Sequence, residues 1–431
     1  MKKVLIITYY WPPMGGAGVQ RWLKTTKYIR EFGWEPIIFT TDNAEVAMYD
    51  ESLFEDVPDK LEIIKSPIWE PFRLYKVLTG KKGETINPSF LQKRKGNSFL
   101  ESISIWIRGN FFIPDAKKFW YKPSVKILSS YLLRNKIDVI VSTGPPHTTH
   151  LIAQKIANRF SIPWLADFRD PWTNIDFYDK LKLTSWAHKK HKRLERNVLT
   201  NASKIITVSK SWSNDLFNLS GVQPIVINNG FDPNDFEDAG KLPLDIKFSI
   251  THAGSINKDR NPFTFWEVMK ELINEDSDFR YNLEIKLIGP IDITVEESLK
   301  TYNVLQYTTL IENLPHKEVI PHLIKSQVLL LLLNNVPSIN GIIPGKMYEY
   351  FGSLRPIICI GDINGDAAEI INETKTGYVV GFSEKSKLKK EVLRLYNDYK
   401  LGVLKINSNH YNKYSRKQLA ESFAKLFNQM L

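Results

Sequence analysis

Val4-Leu-Ile-Ile-Thr-Tyr-Tyr-Trp-Pro-Pro-Met-Gly-Gly-Ala-Gly-Val-Gln-Arg21 decides the fold class. Val4 to Thr8 is a short run of aliphatic and β-branched residues with no polar alternation. That pattern belongs to a strand buried on both faces of a parallel sheet. A glycine-rich loop, Trp11 to Gly18, follows and opens a helical stretch from Val19 to Phe32. Gly33 stops that helix, and Glu35-Pro-Ile-Ile-Phe-Thr40 is the next strand. Strand, loop, helix and strand in this order build a parallel sheet with helices on its faces.

The alternation continues outward and then starts again. Predicted strands at Val139–Val141, Pro163–Asp167, Lys204–Val208 and Ile225–Asn228 are separated by helices at His150–Phe160, Lys189–Asn201 and Ser211–Leu219. A second cycle begins with a strand at Phe248–Thr251. Further strands are read at Leu283–Ile288, Val328–Leu333 and Pro356–Ile360. Helices are read at Phe263–Asn274, Val295–Tyr302, Lys346–Ser353, Lys385–Asp398 and Arg416–Met430. The join lies near residues 230–247, rich in Asp, Pro and Gly and without periodicity. The expected fold class is α/β, with two Rossmann-like doubly wound domains facing a cleft. Sheets of this kind bind ligands beyond the carboxyl ends of their strands. A length of 431 residues suits two such domains.

Charge is unevenly spread. Residues 1–230 hold 34 Lys+Arg against 21 Asp+Glu, a surplus of 13, while the whole chain carries only +11. Residues 60–136 alone carry 16 basic and 5 acidic residues. Aromatics interleave them: Trp69, Phe72, Tyr75, Phe90, Phe99, Trp106, Phe111, Phe112, Trp120 and Tyr121. Basic residues beside aromatics suit an anionic membrane surface. A solvated basic insertion is the alternative. No zinc-finger, RNA-recognition or helix-turn-helix signature accompanies the charge, so nucleic acid is not expected as a partner. Cys359 is the single cysteine, which excludes an internal disulfide and a thiolate metal cluster. The apolar run at the N-terminus is too short for a signal peptide and lacks a small-residue cleavage site. No stretch approaches about 20 apolar residues, the length of a membrane span. The expected location is cytoplasmic, with possible peripheral contact at the inner membrane face.

Five segments carry chemistry. The loop Pro12 to Arg21 places Gly15, Gly16 and Gly18 between a strand and a helix, where backbone can approach an anion at the helix N-terminus. The glycine spacing is neither GxGxxG nor a P-loop. Ser142-Thr-Gly-Pro-Pro-His-Thr-Thr-His150 sets His147 at the carboxyl end of a strand, with His150 three residues on. Ala166-Asp-Phe-Arg-Asp-Pro-Trp172 ends a strand with Asp167, Arg169 and Asp170, either as an ion pair shaping a loop or as an acceptor contact. Gly254-Ser255-Ile-Asn-Lys258-Asp-Arg260 sets two basic residues beside a glycine, suited to a diphosphate. Asn340-Gly-Ile342-Ile343-Pro-Gly-Lys346-Met-Tyr-Glu349-Tyr350 brings a glycine-rich backbone to a helix N-terminus. Lys346 adds positive charge there, and Glu349 lies one turn on, suited to ribose hydroxyls. Asp276-Ser-Asp278 and Asp362-Ile-Asn-Gly-Asp366 do not complete a metal site, and no HExxH or GxSxG is present.

The loop PPMGGAGVQR, the segment ADFRDPW, the turn Asn228-Asn-Gly-Phe-Asp232 and above all Ile343-Pro-Gly-Lys-Met-Tyr-Glu-Tyr-Phe-Gly-Ser-Leu-Arg-Pro-Ile-Ile358 resemble the family 4 glycosyltransferases of the GT-B fold. The resemblance runs from about residue 3 to 385 and is weakest over 60–136. It implies an N-terminal acceptor-binding domain over 1–230, a nucleotide-sugar-binding domain over 231–408 and a final helix in 409–431 crossing back to the first. It implies metal-independent transfer of a sugar from a nucleotide diphosphate, with retention of anomeric configuration and no cofactor. The acceptor would be a glycan or a lipid-linked molecule in surface polysaccharide synthesis. Gly15 and Gly16 would approach the donor, and His147 would contact the transferred sugar. Ser255, Lys258 or Arg260, Lys346 and the loop at Ile342–Ile343 would surround the diphosphate, and Glu349 would hold the ribose. Where that family's pattern has a further acid, this sequence has Gly341. A nucleotide-sugar epimerase of the same fold is the rival enzyme, and a basic binding protein the rival without chemistry.

Overall fold

The computed structural model describes residues 1–44, 49–70, 98–175, 178–336, 339–406, 408 and 410–431, without the side chains of residues 17, 98–104 and 339. The middle of the basic segment, with Phe72, Tyr75 and Phe90, lies outside the described residues, as does the side chain of Phe99. Two compact units form: residues 1–228 with 419–431, and residues 229–418.

In the first unit β1 (Lys2–Ile7), α1 (Ala17–Ile29), β2 (Trp34–Thr41) and β3 (Glu62–Ser66) are followed by α2 (Ser98–Phe111) and α3 (Tyr121–Leu132). Then come β4 (Val139–Gly144), α4 (Thr148–Phe160), β5 (Trp164–Phe168), α5 (Ser185–Asn201), β6 (Lys204–Thr207), α6 (Lys210–Ser220) and β7 (Ile225–Val226). The strands form one seven-stranded sheet in the order β3-β2-β1-β4-β5-β6-β7. Every pairing is parallel. Val4 to Ile7 and Val139 to Val141 are buried on both faces, which explains their unbroken apolar runs. Strand order reverses between β1 and β4, so the loops after these two strands flank the switch point of the sheet.

The second unit repeats the plan. Its elements are β8 (Phe248–Ala253), α7 (Phe263–Glu275), α8 (Ser277–Asn282), β9 (Leu283–Ile288), α9 (Ile293–Thr301), β10 (Thr308–Ile311) and α10 (His316–Lys325). Then follow β11 (Val328–Leu332), α11 (Gly345–Gly352), β12 (Ile357–Ile360), α12 (Asp366–Thr374), β13 (Gly377–Val380) and α13 (Lys385–Lys400). The six-stranded parallel sheet runs β10-β9-β8-β11-β12-β13, with its switch point between β8 and β11. Helix α14 (Arg416–Gln429) starts in this unit, and from Leu419 its residues belong to the first. There Phe423 lies 4.9 Å from Trp22 and Phe427 lies 5.1 Å from Trp34, ring centre to ring centre.

Several elements were invisible to pattern reading, for physical reasons. β10 is an edge strand with little buried surface, so it lacks the apolar run of its neighbours. α10 carries Pro321 inside the helix, a signal that normally ends one. The Asp276-Ser-Asp278 pair is a helix cap: the Asp276 carboxylate accepts from the N–H groups of Asp278 and Phe279.

Candidate functional site

The second unit gathers its polar groups where β8 and β11 diverge. β8 ends at Ala253, and Gly254 follows with φ +110°. A Cβ on Gly254 would stand 2.3 Å from Lys346 Nζ, so the glycine is what lets the ammonium lie against the backbone. Lys346 sits in the first turn of α11, whose N-cap is Pro344; no side chain caps this helix. Its first N–H groups and the lysine together make a positive pole at the carboxyl end of the sheet. Arg260 is fixed beside them: Nε donates to Asn334 Oδ1 at 2.9 Å and Nη1 to the Ser255 carbonyl at 2.9 Å. Burial, with the charge of Arg260 added, pushes the Lys346 ammonium down to about 7, against the pull of Glu349. Lys258 is exposed, Ile342 is half-buried and Ile343 is buried.

Glu349 lies one turn beyond Lys346, and its Oε1 is 3.2 Å from His316 Nε2 on α10. Burial would raise this carboxyl, but the His316 hydrogen bond and charge, with Lys346 and Arg416, hold it below the usual carboxylate range. It is a carboxylate at neutral pH. Below the pole, the Tyr350 hydroxyl accepts from Ala253 N–H at 3.0 Å and donates to the Leu330 carbonyl, joining α11 to both central strands.

In the first unit two loops meet at the other switch point. Gly16, with φ +94°, is the N-cap of α1, and Gly15 precedes it. His147 is the N-cap residue of α4. Its ring stacks on Trp172 at 4.6 Å, with 2° between planes. Burial, then the charges of His150, Arg169 and His191, holds His147 well below its usual range, so it is a neutral imidazole. His150 is fully buried, bonded through Nδ1 to Ser142 Oγ at 2.8 Å and stacked on Phe168 at 4.7 Å; burial lowers it to about 3. His150 is therefore the interior member of the pair and His147 the one at the rim. The segment Ile113–Lys117 supports that rim. Asp115 Oδ2 accepts from Thr148 N–H at 2.9 Å and Oδ1 from Thr148 Oγ1 at 2.8 Å, capping α4 from outside.

The ADFRDPW segment divides. Asp167 is fully buried and accepts from Arg21 Nε at 3.0 Å, Trp22 Nε1 at 2.8 Å and Thr143 Oγ1 at 3.0 Å. Expected at the acceptor, it belongs instead to the interior, because three donors from α1 and β4 enclose it. Arg169 donates to the carbonyls of Gly18 at 2.7 Å and Pro145 at 3.2 Å, tying the glycine loop to the His147 loop. Asp170 keeps a side chain 37% exposed.

Pattern reading missed Asp115, His316 and Asn334. Each reaches its partner from a distant segment, so no local spacing marks it. Among the described residues no group of three or more His, Cys, Asp or Glu side chains is placed to hold a metal ion. Among them, too, no helix is long and apolar enough to cross a membrane.

Residues 90–235 match the model of Glycosyltransferase Family 4. Sucrose-phosphate synthase from Thermosynechococcus elongatus superposes with a TM-score of 0.63 at 14% identity, covering 100% of this chain and 99% of that one. HepE of Anabaena, solved in complex with UDP, gives 0.62 at 12% identity over 100% of both chains. The fold is that of the GT-B glycosyltransferases. TarM of S. aureus gives 0.61 at 13% identity over 99% of each chain. The curated proteins include no match in sequence. The resemblance to family 4 is thus borne out over 90–235, and the GT-B architecture over the full length.

Proposed function

We propose that this GT-B chain is a metal-independent, retaining glycosyltransferase that moves a sugar from a nucleotide diphosphate to a glycan or lipid-linked acceptor in surface polysaccharide synthesis. The observation that carries the reading is the positive pole of the second unit: the uncapped N-terminus of α11, Lys346 against Gly254, and Arg260 beside them. Glycosidic cleavage leaves negative charge on the departing diphosphate. Fixed N–H dipoles and two cations stabilise that charge without reorganising, the task a metal ion performs elsewhere.

In this reading Arg260, Lys346, Ser255 and the backbone at Ile342–Ile343 take the diphosphate, and Lys258 screens it from the surface. Glu349, ionised and oriented by His316, accepts the ribose hydroxyls. Gly15 and Gly16 approach the donor sugar. His147 contacts the transferred sugar as a neutral imidazole able to accept or donate a hydrogen bond. Asp170, with Arg169 shaping its loop, meets the acceptor. The enzyme works in the cytoplasm at the inner membrane face. That HepE was solved with UDP makes UDP the first nucleotide to try.

Calorimetry with UDP, GDP and ADP tests the reading. Binding of one of them is expected, and silence with all three would overturn it. Transfer measured with and without EDTA should agree, and loss on chelation would refute metal independence.

A further inference from the structure

The first unit exposes aromatic side chains that one chain of contacts links into a single face. Trp69, Trp106, Ile107, Phe111, Phe119 and Trp186 are between 36% and 63% exposed. Trp69 meets Phe119 at 4.7 Å, Phe119 meets Phe112 at 6.1 Å, and Trp106 meets Phe111 at 5.7 Å. Lys118 joins them: its Nζ donates to the Phe111 carbonyl at 2.5 Å and stands 4.9 Å over Phe112 and 5.0 Å over Phe119. The charge of Lys190 reaches Lys118, and Lys190 itself stands 4.8 Å over Trp186. Asn110 bolts α2 to the segment before Trp186, accepting from Thr184 N–H at 2.7 Å and donating to the Lys182 carbonyl at 3.3 Å.

Trp186 and Lys190 lie outside the basic segment picked out by composition, and only the fold brings them to it. The charge around the face is predominantly positive. Residues 178–193 hold Lys180, Lys182, Lys189, Lys190, Lys192 and Arg193 against a single acid, Asp179. Over 105–126 the single acid is Asp115, which is committed to Thr148. Lysine ammonium groups standing over aromatic rings, several of them exposed, suit a boundary between hydrocarbon and anionic headgroups. A polyanion in water would leave the exposed apolar surface of Ile107 and Phe111 uncovered.

We propose that this face docks the protein on an anionic membrane. The proposal rests on the membrane-carried acceptor read above and names the surface that meets the bilayer. Aromatic rings enter the headgroup boundary, and Lys118, Lys190 and their neighbours meet the lipid phosphates.

Co-sedimentation of the full chain with phosphatidylglycerol vesicles tests it, with phosphatidylcholine vesicles as the neutral control. Preferential binding to phosphatidylglycerol is expected, falling as salt rises from about 0.1 M to 0.5 M and the screening length contracts. Phe111→Ser with Trp186→Ser should cut partitioning about tenfold, since apolar area entering the boundary sets the affinity. Lys118→Glu with Lys190→Glu should cut it as well and flatten the salt dependence. Circular dichroism confirms that each variant is folded, and either pair suffices. Equal recovery in the supernatant with both lipids overturns the proposal, as does undiminished binding by both folded variants. Retention of the protein on polyuridylate instead of vesicles would assign the face to nucleic acid. Binding of UDP, GDP and ADP measured alongside keeps the two readings apart: a chain that sediments with vesicles but binds none of the three refutes the transferase alone.

Discussion

Asp115 accepts two hydrogen bonds from Thr148, from its N–H at 2.9 Å and its hydroxyl at 2.8 Å, across 33 residues of chain. Thr148 opens α4, and the residue before it is His147, whose own side chain makes no capping bond. A capping carboxylate supplied from elsewhere leaves the imidazole at this helix end free to stack on Trp172. Asp115→Ala should therefore cost about 1 kcal/mol of stability, the usual value of a lost cap. Its larger effect should be on turnover, through a loosened His147, with nucleotide affinity unchanged. Steady-state kinetics beside calorimetry separate the two. Equal losses in both would reduce Asp115 to a general structural role.

His147→Ala itself should lower turnover far more than nucleotide affinity. The same pattern from His150→Ala, in place of His147→Ala, would exchange their roles. His150→Ala is expected instead to act on stability, because it empties a fully buried site between Ser142 and Phe168.

Glu349→Ala should weaken nucleotide binding by about 1.5–3 kcal/mol, the usual worth of a hydrogen bond to a charged acceptor. His316→Ala should cause a smaller loss, since it orients that acceptor from 3.2 Å away. An unchanged dissociation constant for Glu349→Ala would remove the ribose role.

Lys346 predicts a proton linkage. With its ammonium held near 7 by burial and Arg260, part of the population is uncharged at neutral pH. A bound diphosphate favours the charged form and raises that value, so binding takes up a proton above about pH 7 and none well below it. UDP-glucose suits the measurement, because its diphosphate does not titrate in this range. Binding enthalpies in MES and Bis-Tris should coincide at pH 6, whereas those in HEPES and Tris should diverge at pH 8. Lys346→Met should abolish the divergence. Agreement of the two buffers at pH 8 in the unmutated protein would contradict the linkage.

Asp167→Ala should cost about 3–5 kcal/mol in urea denaturation, because it leaves the Arg21 guanidinium buried without its counter-charge. A stable Asp167→Ala protein that had lost only acceptor affinity would return Asp167 to the site.

The sequence by itself determined the two parallel sheets and the loops that carry the chemistry. Strands buried on both faces must be apolar throughout, so Val4–Ile7 and Val328–Leu332 announce themselves. Loops between strand and helix must turn tightly, so glycine and proline mark the segments at 15–18, 144–146 and 341–345. Lys346 and Glu349 were legible because helical periodicity fixes them one turn apart. Tertiary structure alone decided which polar residues face inward. Asp167 reads like Asp170 in sequence, yet α1 and β4 enclose it with three donors while its neighbour stays half-exposed. Asp115 on Thr148 and His316 on Glu349 pair residues from segments far apart in the chain. Local spacing encodes the direction of a side chain along its own element. Which element packs opposite depends on strand order and helix packing over the whole sheet, and the charge and hydrogen bonding of each site follow from that.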